Sequence, residues 1–481
     1  MPILEIVGLG PGAPELLTRQ AHAVLCSARE VLLRTMHPAV QIIPSSIPVR
    51  TFDPLYESGD SFEDVYGQIV AEVLRASQAG AGCVYAVPGD PLMGEATVIE
   101  LLRQAPSAQV TVQIVHGVSF VEPCLAALAV DGLEGLFVGD ALDLARMHHP
   151  HFPPDRPALL GQLYSRLVAS DVKLTLLNVY PETHEVALLH AAGTDSVQVE
   201  RLPLHALDRS VRIGPLTALF IPALATGHSL EAFQETVAHL RAPDGCPWDR
   251  EQTPTSLRPH LLEDAYEALH AIDAGDTQAL REELGDLLLQ IVLQAQIAVE
   301  EGDFSLGEVI HGIETKIRRR HPHVFGDVQV GEVDEVLRNW EALKASERQD
   351  AGKGKGLLDG IPLGLPALAQ AAEIQDRVAR IGFDWPQADG ARDKILEELD
   401  EIARAGSEGL ADEVGDLLFS AVNFARRLNV DAESALRTAA ARFRRRFARV
   451  EALASTAGRE LSALSLDELD VLWEQAKSEG L

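Results

Sequence analysis

The second half of the chain carries two copies of one sequence block, and this duplication limits the folds that the chain can adopt. The first copy begins with GCPWD, continues through LLEDAYEALHAI, REELGDLLLQ and KIRRRHPHVF, and ends at Trp340. The second begins with GFDWP, continues through ILEELDEIARA, ADEVGDLLFS and RFRRRF, and ends at Trp473. Equivalent positions lie 126 to 137 residues apart. Because the order of the segments is kept, we interpret the copies as a duplicated domain of about 115 residues.

The sequence pattern changes near residue 225. Before it, short β-like runs (ILEIVG, GCVYAV, VTVQIV, KLTLLNVY and TALFIPAL) alternate with helical stretches at 15–27 and 61–77, which predicts an α/β domain with a largely parallel sheet. From about residue 229 the segments are long and amphipathic, with apolar residues three and four apart, which predicts helices. A Gly/Pro-rich linker interrupts them at 351–366. We therefore predict an α/β domain at 1–224 and two all-α domains at 229–350 and 366–478.

Charge and composition exclude several classes of function. The 481 residues include 41 Lys and Arg against 72 Asp and Glu, a formal net charge of −31. A chain this acidic repels polyanions, so we expect no nucleic-acid polymer as a partner. The four cysteines show no metal or disulfide spacing, the N-terminus lacks a basic start, and no apolar run approaches the roughly 20 residues of a membrane helix. These features predict a cytoplasmic protein that does not enter a membrane.

Acidic residues three apart occur on consecutive predicted helices, and the arrangement is repeated in both copies. In the second copy the pairs are Glu398/Glu401 and Glu413/Asp416. Residues i and i+3 share a helix face, so antiparallel helices joined near Gly406–Gly409 would bring four carboxylates together. Such a charge needs a cation, and carboxylate oxygens favour Mg²⁺ or Mn²⁺. The alternative is a solvated acidic face, although these acids adjoin apolar positions and recur in tandem.

A basic segment follows the acidic pairs in each copy, and a tryptophan follows that segment. The residues are Arg442, Arg446 and Trp473 in the second copy and Lys316, Arg320 and Trp340 in the first. Such cations suit a polyphosphate that a metal holds from the other side, and an indole ring can stack on a nucleobase. The alternatives are a basic stripe paired with nearby glutamates and ordinary core tryptophans.

These segments, with GCPWD upstream and the tail RRHPHVF, resemble the MazG family of nucleoside triphosphate pyrophosphohydrolases over about residues 229–478. The resemblance implies all-α, usually dimeric domains that use Mg²⁺ to cleave NTPs and dNTPs to the monophosphate and pyrophosphate. In the second copy it implies Glu398, Glu401, Glu413 and Asp416 as catalytic metal ligands and Lys394, Arg442, Arg446 and Trp473 as nucleotide contacts. The corresponding metal-ligand candidates of the first copy are Asp264, Glu267, Glu283 and Asp286.

The two copies differ at the first of these acids. Asp264 stands where the family has glutamate, and its side chain is one methylene shorter than that of Glu398. Mg²⁺ requires near-ideal ligand distances of about 2.0–2.1 Å, whereas a longer loop between the acidic pairs is tolerated at well under ~1 kcal/mol. We therefore predict that the second copy is the main catalytic site.

Glycine-rich loops follow three predicted strands of the N-terminal region, as GLGPG, VPGDPL and HGVSF. Loops at the carboxyl ends of parallel strands bind ligands in open α/β sheets, although a tight turn alone would explain the glycines. With TALFIPAL, these segments resemble the tetrapyrrole methylase family and its YabN-like branch fused to MazG, over about residues 1–224. The resemblance implies S-adenosylmethionine as a cofactor. Its candidate binding residues are Gly8, Gly10, Gly12, Gly89, Asp90 and Ser119.

Three functions remain open from the sequence: a nucleotide pyrophosphohydrolase, an S-adenosylmethionine-dependent methyltransferase with helical repeats for dimerisation or nucleotide sensing, and a non-catalytic scaffold. The intact second-copy acids favour the hydrolase over the scaffold. His116 and Phe120 replace the Pro and Ser common around the Gly-Val-Ser loop, which weakens the methyltransferase. We expect nucleoside triphosphates as substrates and a homodimer formed through the helical domains.

Overall fold

The chain forms two compact units, Met1–Glu251 and Gln252–Leu481. The computed structural model describes residues 2–58, 61–79, 83–225, 227–328, 331, 335–336, 356–362, 364–405 and 409–480. The helices at Leu230–Arg241 and Pro247–Glu251 belong to the first unit, where Ser229 Oγ donates to Asp155 Oδ2 at 2.7 Å. The compact units thus divide after the GCPWD motif, whereas the sequence pattern changes near residue 225.

Two five-stranded sheets form the centre of the first unit. The strands are β1 (Ile3–Gly8), β2 (Glu30–Leu33), β3 (Val49–Thr51), β4 (Cys83–Val87), β5 (Thr111–Val115), β6 (Phe137–Asp140), β7 (Ala158–Gly161), β8 (Glu185–His190), β9 (Gln198–Pro203) and β10 (Thr217–Ile221). The first sheet has the order β3-β2-β4-β1-β5, and every pair in it is parallel. The predicted α/β fold with a parallel sheet is therefore confirmed.

Helices cover both faces of the parallel sheet. The helices of this unit are α1 (Arg19–Ser27), α2 (Asp53–Ser58), α3 (Phe62–Gln78), α4 (Ala96–Gln104), α5 (Val121–Leu128), α6 (Ala141–Ala145), α7 (Arg166–Leu176), α8 (Leu230–Arg241) and α9 (Pro247–Glu251). Leu4 and Ile6 of β1 pack in a core with α3 and α4, whereas Val7 packs in a second core with α1. This alternation follows from the two-residue period of a strand. Because all strands of this sheet run in the same direction, the loops that follow them lie at one edge.

The second sheet differs from the prediction because it is mainly antiparallel. Its order is β6-β7-β10-β8-β9, and only β6 and β7 run parallel. The predicted strand KLTLLNVY is wrong, since its first half lies in α7. Ser165 caps that helix, and Val168, Val172 and Leu176 are buried at helical spacing. Packing of one helix face therefore overrides the local strand preference of these residues.

Only helices occur in the described part of the second unit. They are α10 (Arg258–Ala274), α11 (Thr277–Glu301), α12 (Leu306–Arg320), α13 (Pro322–Phe325), α14 (Ala367–Ala379), α15 (Ala388–Arg404), α16 (Leu410–Arg427), α17 (Ala432–Thr456) and α18 (Leu466–Ser478). An ion pair of 2.8 Å between Arg437 and Asp273 joins the two copies. The predicted helical region is confirmed, and residues 351–355 and 363 of the predicted linker at 351–366 lie outside the described residues.

Local signals explain where several of these helices begin and end. Asp276 accepts hydrogen bonds from the N–H groups of Gln278 and Ala279 at the start of α11, and Gly275 ends α10 with a positive φ. Ser305 and Ser465 form capping boxes at α12 and α18. None of the helices in the described residues combines the length and apolarity needed to span a bilayer.

Candidate functional site

The acidic pairs of the second copy meet between α15 and α16. Glu398 on α15 and Glu413 and Asp416 on α16 each offer a carboxylate oxygen, and these oxygens all lie within 4.8 Å of one another. The side chain of Glu398 is only 3% exposed, whereas Asp416 is open to solvent. The structure therefore gathers three of the four predicted second-copy ligands at one place with a solvent-facing side.

The buried carboxylate of Glu398 is only half satisfied. Its Oε1 pairs with Lys394 Nζ at 2.8 Å, one helical turn earlier on α15. Its Oε2 is buried and has no hydrogen-bond partner among the described residues. A buried charged oxygen without a partner is costly, so this geometry favours a further positive group at the cluster.

The fourth predicted ligand, Glu401, lies within electrostatic reach of the same cluster. Desolvation raises the pKa of its carboxyl, and the negative charges of Glu413 and Glu398 raise it further, while Lys394 opposes them. Like charges held this close repel one another, and a divalent cation would relieve the repulsion. Because the donors are all carboxylate oxygens, they fit Mg²⁺ or Mn²⁺ better than a soft metal.

The first copy gathers its acids as well, but less tightly. Desolvation raises the pKa of Glu283, and the charges of Glu267, Asp286 and Asp264 raise it further. Asp264 Oδ2 accepts a hydrogen bond of 2.9 Å from Nε2 of the buried Gln290. Among the described residues, these acids do not form a group with oxygens within 4.8 Å of one another. The two predicted metal sites therefore differ in geometry.

Lys394 lies on α15 beside the cluster, whereas the other predicted nucleotide contacts in the described residues lie on other helices. The guanidinium of Arg446 on α17 lies over the Trp473 ring, 5.8 Å from its centroid, and Phe443 packs against the same ring at 4.9 Å. These contacts place the indole in an aromatic cluster, which favours the alternative that Trp473 is a packing residue. Arg442 is exposed on α17 and Lys316 is exposed on α12, where Arg320 is partly exposed. Trp340 lies outside the described residues.

The glycines of the N-terminal loops bring three strand ends into backbone contact. Gly10 and Gly89 exchange backbone hydrogen bonds of 3.2 and 2.7 Å. A Cβ added at Gly8 would lie 2.6 Å from Gly117 N and from Gly89 O, so no side chain fits there. Gly89 has a φ of +68°, and a Cβ added to it would meet no described atom within 4 Å. Gly8 and Gly10 thus serve the packing of the loops, and the Gly89 loop borders open space.

The other candidate cofactor residues are engaged within the same loops. Asp90 Oδ2 lies 2.9 Å from His116 Nδ1 and accepts the Gly117 N–H. Ser119 Oγ donates to Glu122 Oε2 at 2.7 Å. A Cβ added at Gly12 would lie 2.7 Å from Thr194 Cγ2, so this loop also contacts the second sheet's loops. The predicted residues of all three loops are therefore brought together at the carboxyl edge of the parallel sheet.

Two groups of polar residues were missed by sequence reasoning. Asp384, from the GFDWP motif, pairs with Arg426 at 2.7 Å and with Arg427 at 3.4 Å. Burial alone would raise the pKa of Asp384, but the arginines and the Trp385 N–H outweigh it and lower the pKa. The second group is Gln290 with Asp264. Repetition of GFDWP was a signal for the first group, whereas a lone glutamine gave none for the second.

Fold and site together define a class of protein, in which an α/β domain with strand-end loops precedes helices that carry a carboxylate cluster. The family model of the Tetrapyrrole (Corrin/Porphyrin) Methylases matches residues 4–208, and that of the MazG nucleotide pyrophosphohydrolase domain matches residues 252–325. The uncharacterized protein YabN of Bacillus subtilis (strain 168) is 39% identical over 490 residues, which covers 98% of both chains. The chain belongs to the MazG family and carries an N-terminal tetrapyrrole methylase domain, as the sequence motifs indicated.

Two further comparisons concern one half of the chain each. The nucleoside triphosphate pyrophosphohydrolase/pyrophosphatase MazG of Thermotoga maritima is 46% identical over 251 residues, covering 51% of this chain and 95% of its own. The solved structure of a cobalamin biosynthetic enzyme, cobalt precorrin-4 methyltransferase, is 20% identical and covers 46% of this chain and 94% of its own, with a TM-score of 0.37.

Proposed function

We propose that this chain hydrolyses nucleoside triphosphates to the monophosphate and pyrophosphate in the helical unit, with Mg²⁺ or Mn²⁺ held by Glu398, Glu401, Glu413 and Asp416. The observation that carries the proposal is the buried, half-satisfied carboxylate of Glu398 beside Glu413 and Asp416. The kinship with a named pyrophosphohydrolase of Thermotoga maritima supports the same chemistry.

Each group of the site has a role in this proposal. When bound, the metal supplies charge neutralisation at the phosphate oxygens and a lowered pKa for a coordinated water. Glu398 is fixed by burial and by Lys394, while Glu413 and Asp416 face it from α16. Lys394, Arg442 and Arg446 stabilise the charge on the departing pyrophosphate, and a carboxylate of the cluster orients the attacking water.

The metal requirement provides the first test. Turnover of each NTP and dNTP by the purified chain is measured with Mg²⁺, with Mn²⁺, and with excess chelator. We expect hydrolysis with either metal and none with chelator. Full turnover in excess chelator would contradict the proposed use of the carboxylate cluster.

We further propose that the helical unit forms a homodimer. Large apolar side chains are exposed on α15 and α16 beside the acidic pairs, among them Leu399 at 47% and Leu418 at 54%. Exposed apolar surface of this kind marks sites where proteins associate. Light scattering after size exclusion should give twice the chain mass of 52.0 kDa, and a monomer would contradict the proposal.

The acidic composition and the free cysteines support a cytoplasmic location.

A second function, S-adenosylmethionine binding, is proposed for the N-terminal domain. The loops carrying Gly8, Gly89 and Gly117 meet at the carboxyl edge of the parallel sheet, and the Gly89 loop borders open space. Such an edge is where open α/β sheets bind ligands. Equilibrium dialysis of the full chain with labelled S-adenosylmethionine should detect one site per chain. No binding at millimolar ligand would reduce these loops to structural elements.

A further inference from the structure

The two copies hold the equivalent first carboxylate through different partners. In the second copy, Lys394 Nζ lies 2.8 Å from Glu398 Oε1 and 3.0 Å from Glu397 Oε1. In the first copy, the positions 134 residues earlier are His260 and Asp264. There the structure shows a neutral partner for the carboxylate, the amide of Gln290 on the facing helix.

The two copies also differ on the helix that faces this carboxylate. The second-copy residue equivalent to Gln290, 130 positions later, is Ser420. A serine side chain is too short to replace the amide of a glutamine across a helix pair, so the second copy takes its partner from the same helix instead. One carboxylate is thus held by a positive charge and the other by a neutral donor.

Lys394 is able to leave its partner, whereas Glu398 is not. The lysine side chain is 36% exposed, while that of Glu398 is 3% exposed. A lysine ammonium is a compact charge on a flexible stem and can exchange one oxygen partner for another by rotating that stem. Both partners of its Nζ are carboxylate oxygens, which stabilise the charged ammonium.

We infer that Lys394 is the resident counter-ion of Glu398 and a positioning residue that couples metal binding to nucleotide binding, an inference that rests on the proposed function. A divalent cation that takes Glu398 as a ligand has to displace the ammonium. The displaced ammonium then pairs with a phosphate oxygen of the nucleotide. Lys394 therefore weakens the binding of metal alone at this site. It does not weaken the binding of metal together with nucleotide.

The first copy is built without this coupling. The Gln290 amide carries no charge, so it orients Asp264 without competing electrostatically with a cation. A metal entering the first copy displaces no positive charge from Asp264, and the nucleotide has no freed lysine to receive. The part of the coupling that depends on a displaced lysine is thus absent from the first copy.

Mn²⁺ binding to the full chain tests this inference, with electron paramagnetic resonance reporting free Mn²⁺. The first copy is silenced by Glu283→Gln with Asp286→Asn, so that the second copy alone is measured. In this background we expect Lys394→Gln to tighten the binding of Mn²⁺ alone by about fivefold, the scale of one partly exposed charged hydrogen bond. After subtraction of the Mn²⁺ that an α,β-methylene triphosphate analogue binds in a protein-free titration, the analogue should tighten Mn²⁺ binding by the chain more before the substitution than after it.

The matched control is Arg392→Gln, which removes one positive charge from the same helix. Arg392 pairs with Asp389 and Asp393 and is 54% exposed. The Arg392→Gln substitution should leave the affinity of the chain for Mn²⁺ unchanged. An equal effect of the two substitutions would mean that Mn²⁺ affinity depends only on the total charge of the helix, and this result would overturn the inference. An unchanged Mn²⁺ affinity in Lys394→Gln, with an unfolding midpoint equal to that of the parent, would overturn it as well.

The reciprocal substitution is made in the first copy, with the second silenced by Glu413→Gln and Asp416→Asn. Here His260→Lys places a lysine one turn before Asp264, and we expect weaker binding of Mn²⁺ alone together with a stronger dependence on the analogue. Absence of both effects would count against a counter-ion role for a lysine at this position. Since the readout is metal binding, failure of this inference is distinct from failure of the wild-type chain to release pyrophosphate.

Discussion

Replacement of Glu398 and Glu401 by glutamine should remove most of the hydrolytic turnover of this chain. Glu398 contributes a buried oxygen that has no hydrogen-bond partner in the described part of the chain, and Glu401 lies within reach of the same charges. Loss of one preorganised electrostatic group from an active site costs roughly 10²–10³ in kcat, or about 3–4 kcal/mol. We therefore expect kcat to fall at least about a hundredfold.

The same substitution should not destabilise the fold. Desolvation and the charges of Glu413 and Glu398 raise the pKa of Glu401, which means that the carboxylates repel one another in the metal-free protein. Glutamine keeps the size of the side chain and removes that repulsion, which offsets the loss of the ion pair between Glu398 and Lys394. The unfolding midpoint measured in chelator should be equal to or higher than that of the wild type.

The corresponding change in the first copy, Asp264→Asn with Glu267→Gln, should cost less than about twofold in kcat. In that copy Asp264 is already engaged by Gln290, and the acids lie further apart. Initial rates are measured by a coupled pyrophosphate assay at saturating Mg²⁺. Asp393→Asn with Asp400→Asn is the charge-matched control, because both side chains are more than 60% exposed on α15. If the first-copy pair abolishes turnover, the ranking of the two sites is wrong.

Three further predictions concern the packing and charge of other regions. Gly117→Ala places a Cβ 2.3 Å from Gly89 O, so the chain should lose about 2 kcal/mol of stability and its S-adenosylmethionine binding, measured by thermal shift and dialysis. Asp384→Asn removes the carboxylate that Arg426 and Arg427 share, while Arg426 keeps Asp376 at 3.4 Å, and the helical unit should lose about 2 kcal/mol in urea unfolding; an unchanged midpoint would refute the role given to this ion pair. Burial, opposed by Arg34, raises the pKa of Glu95 from 4.5 to about 7, so stability should fall as pH rises from about 4.5 to 7. Glu95→Gln should flatten this slope, and an equally steep slope in the variant would assign it to other groups.

The sequence predicted those parts of the fold and site that depend on residues close together in the chain. Alternation of apolar runs with helical stretches predicted the parallel sheet, and the i, i+3 acids predicted convergence between α15 and α16. KLTLLNVY was assigned wrongly, since its β-branched and apolar residues suit either structure and the packing of α7 decides between them. The antiparallel order of the second sheet depends on which strands meet in space, which a single sequence does not encode locally.

The details of the site depended on contacts between distant residues. Burial of Glu398 and its pairing with Lys394 follow from how α15 packs on α16, although the spacing of four residues was visible. The hydrogen bond from Gln290 to Asp264 spans 26 residues, and no motif marks it. The close approach of Gly8 to Gly117 likewise arises only when β1 and β5 lie side by side.

The identity of the first product tests the central claim most directly. The purified full chain is mixed with a nucleoside triphosphate and Mg²⁺ in a single turnover, and the phosphorus products are followed by ³¹P nuclear magnetic resonance. The proposed chemistry predicts pyrophosphate and nucleoside monophosphate in equal amounts from the first time point, with no diphosphate intermediate. Orthophosphate and nucleoside diphosphate as the first products would contradict the assignment of the carboxylate cluster as a pyrophosphohydrolase site.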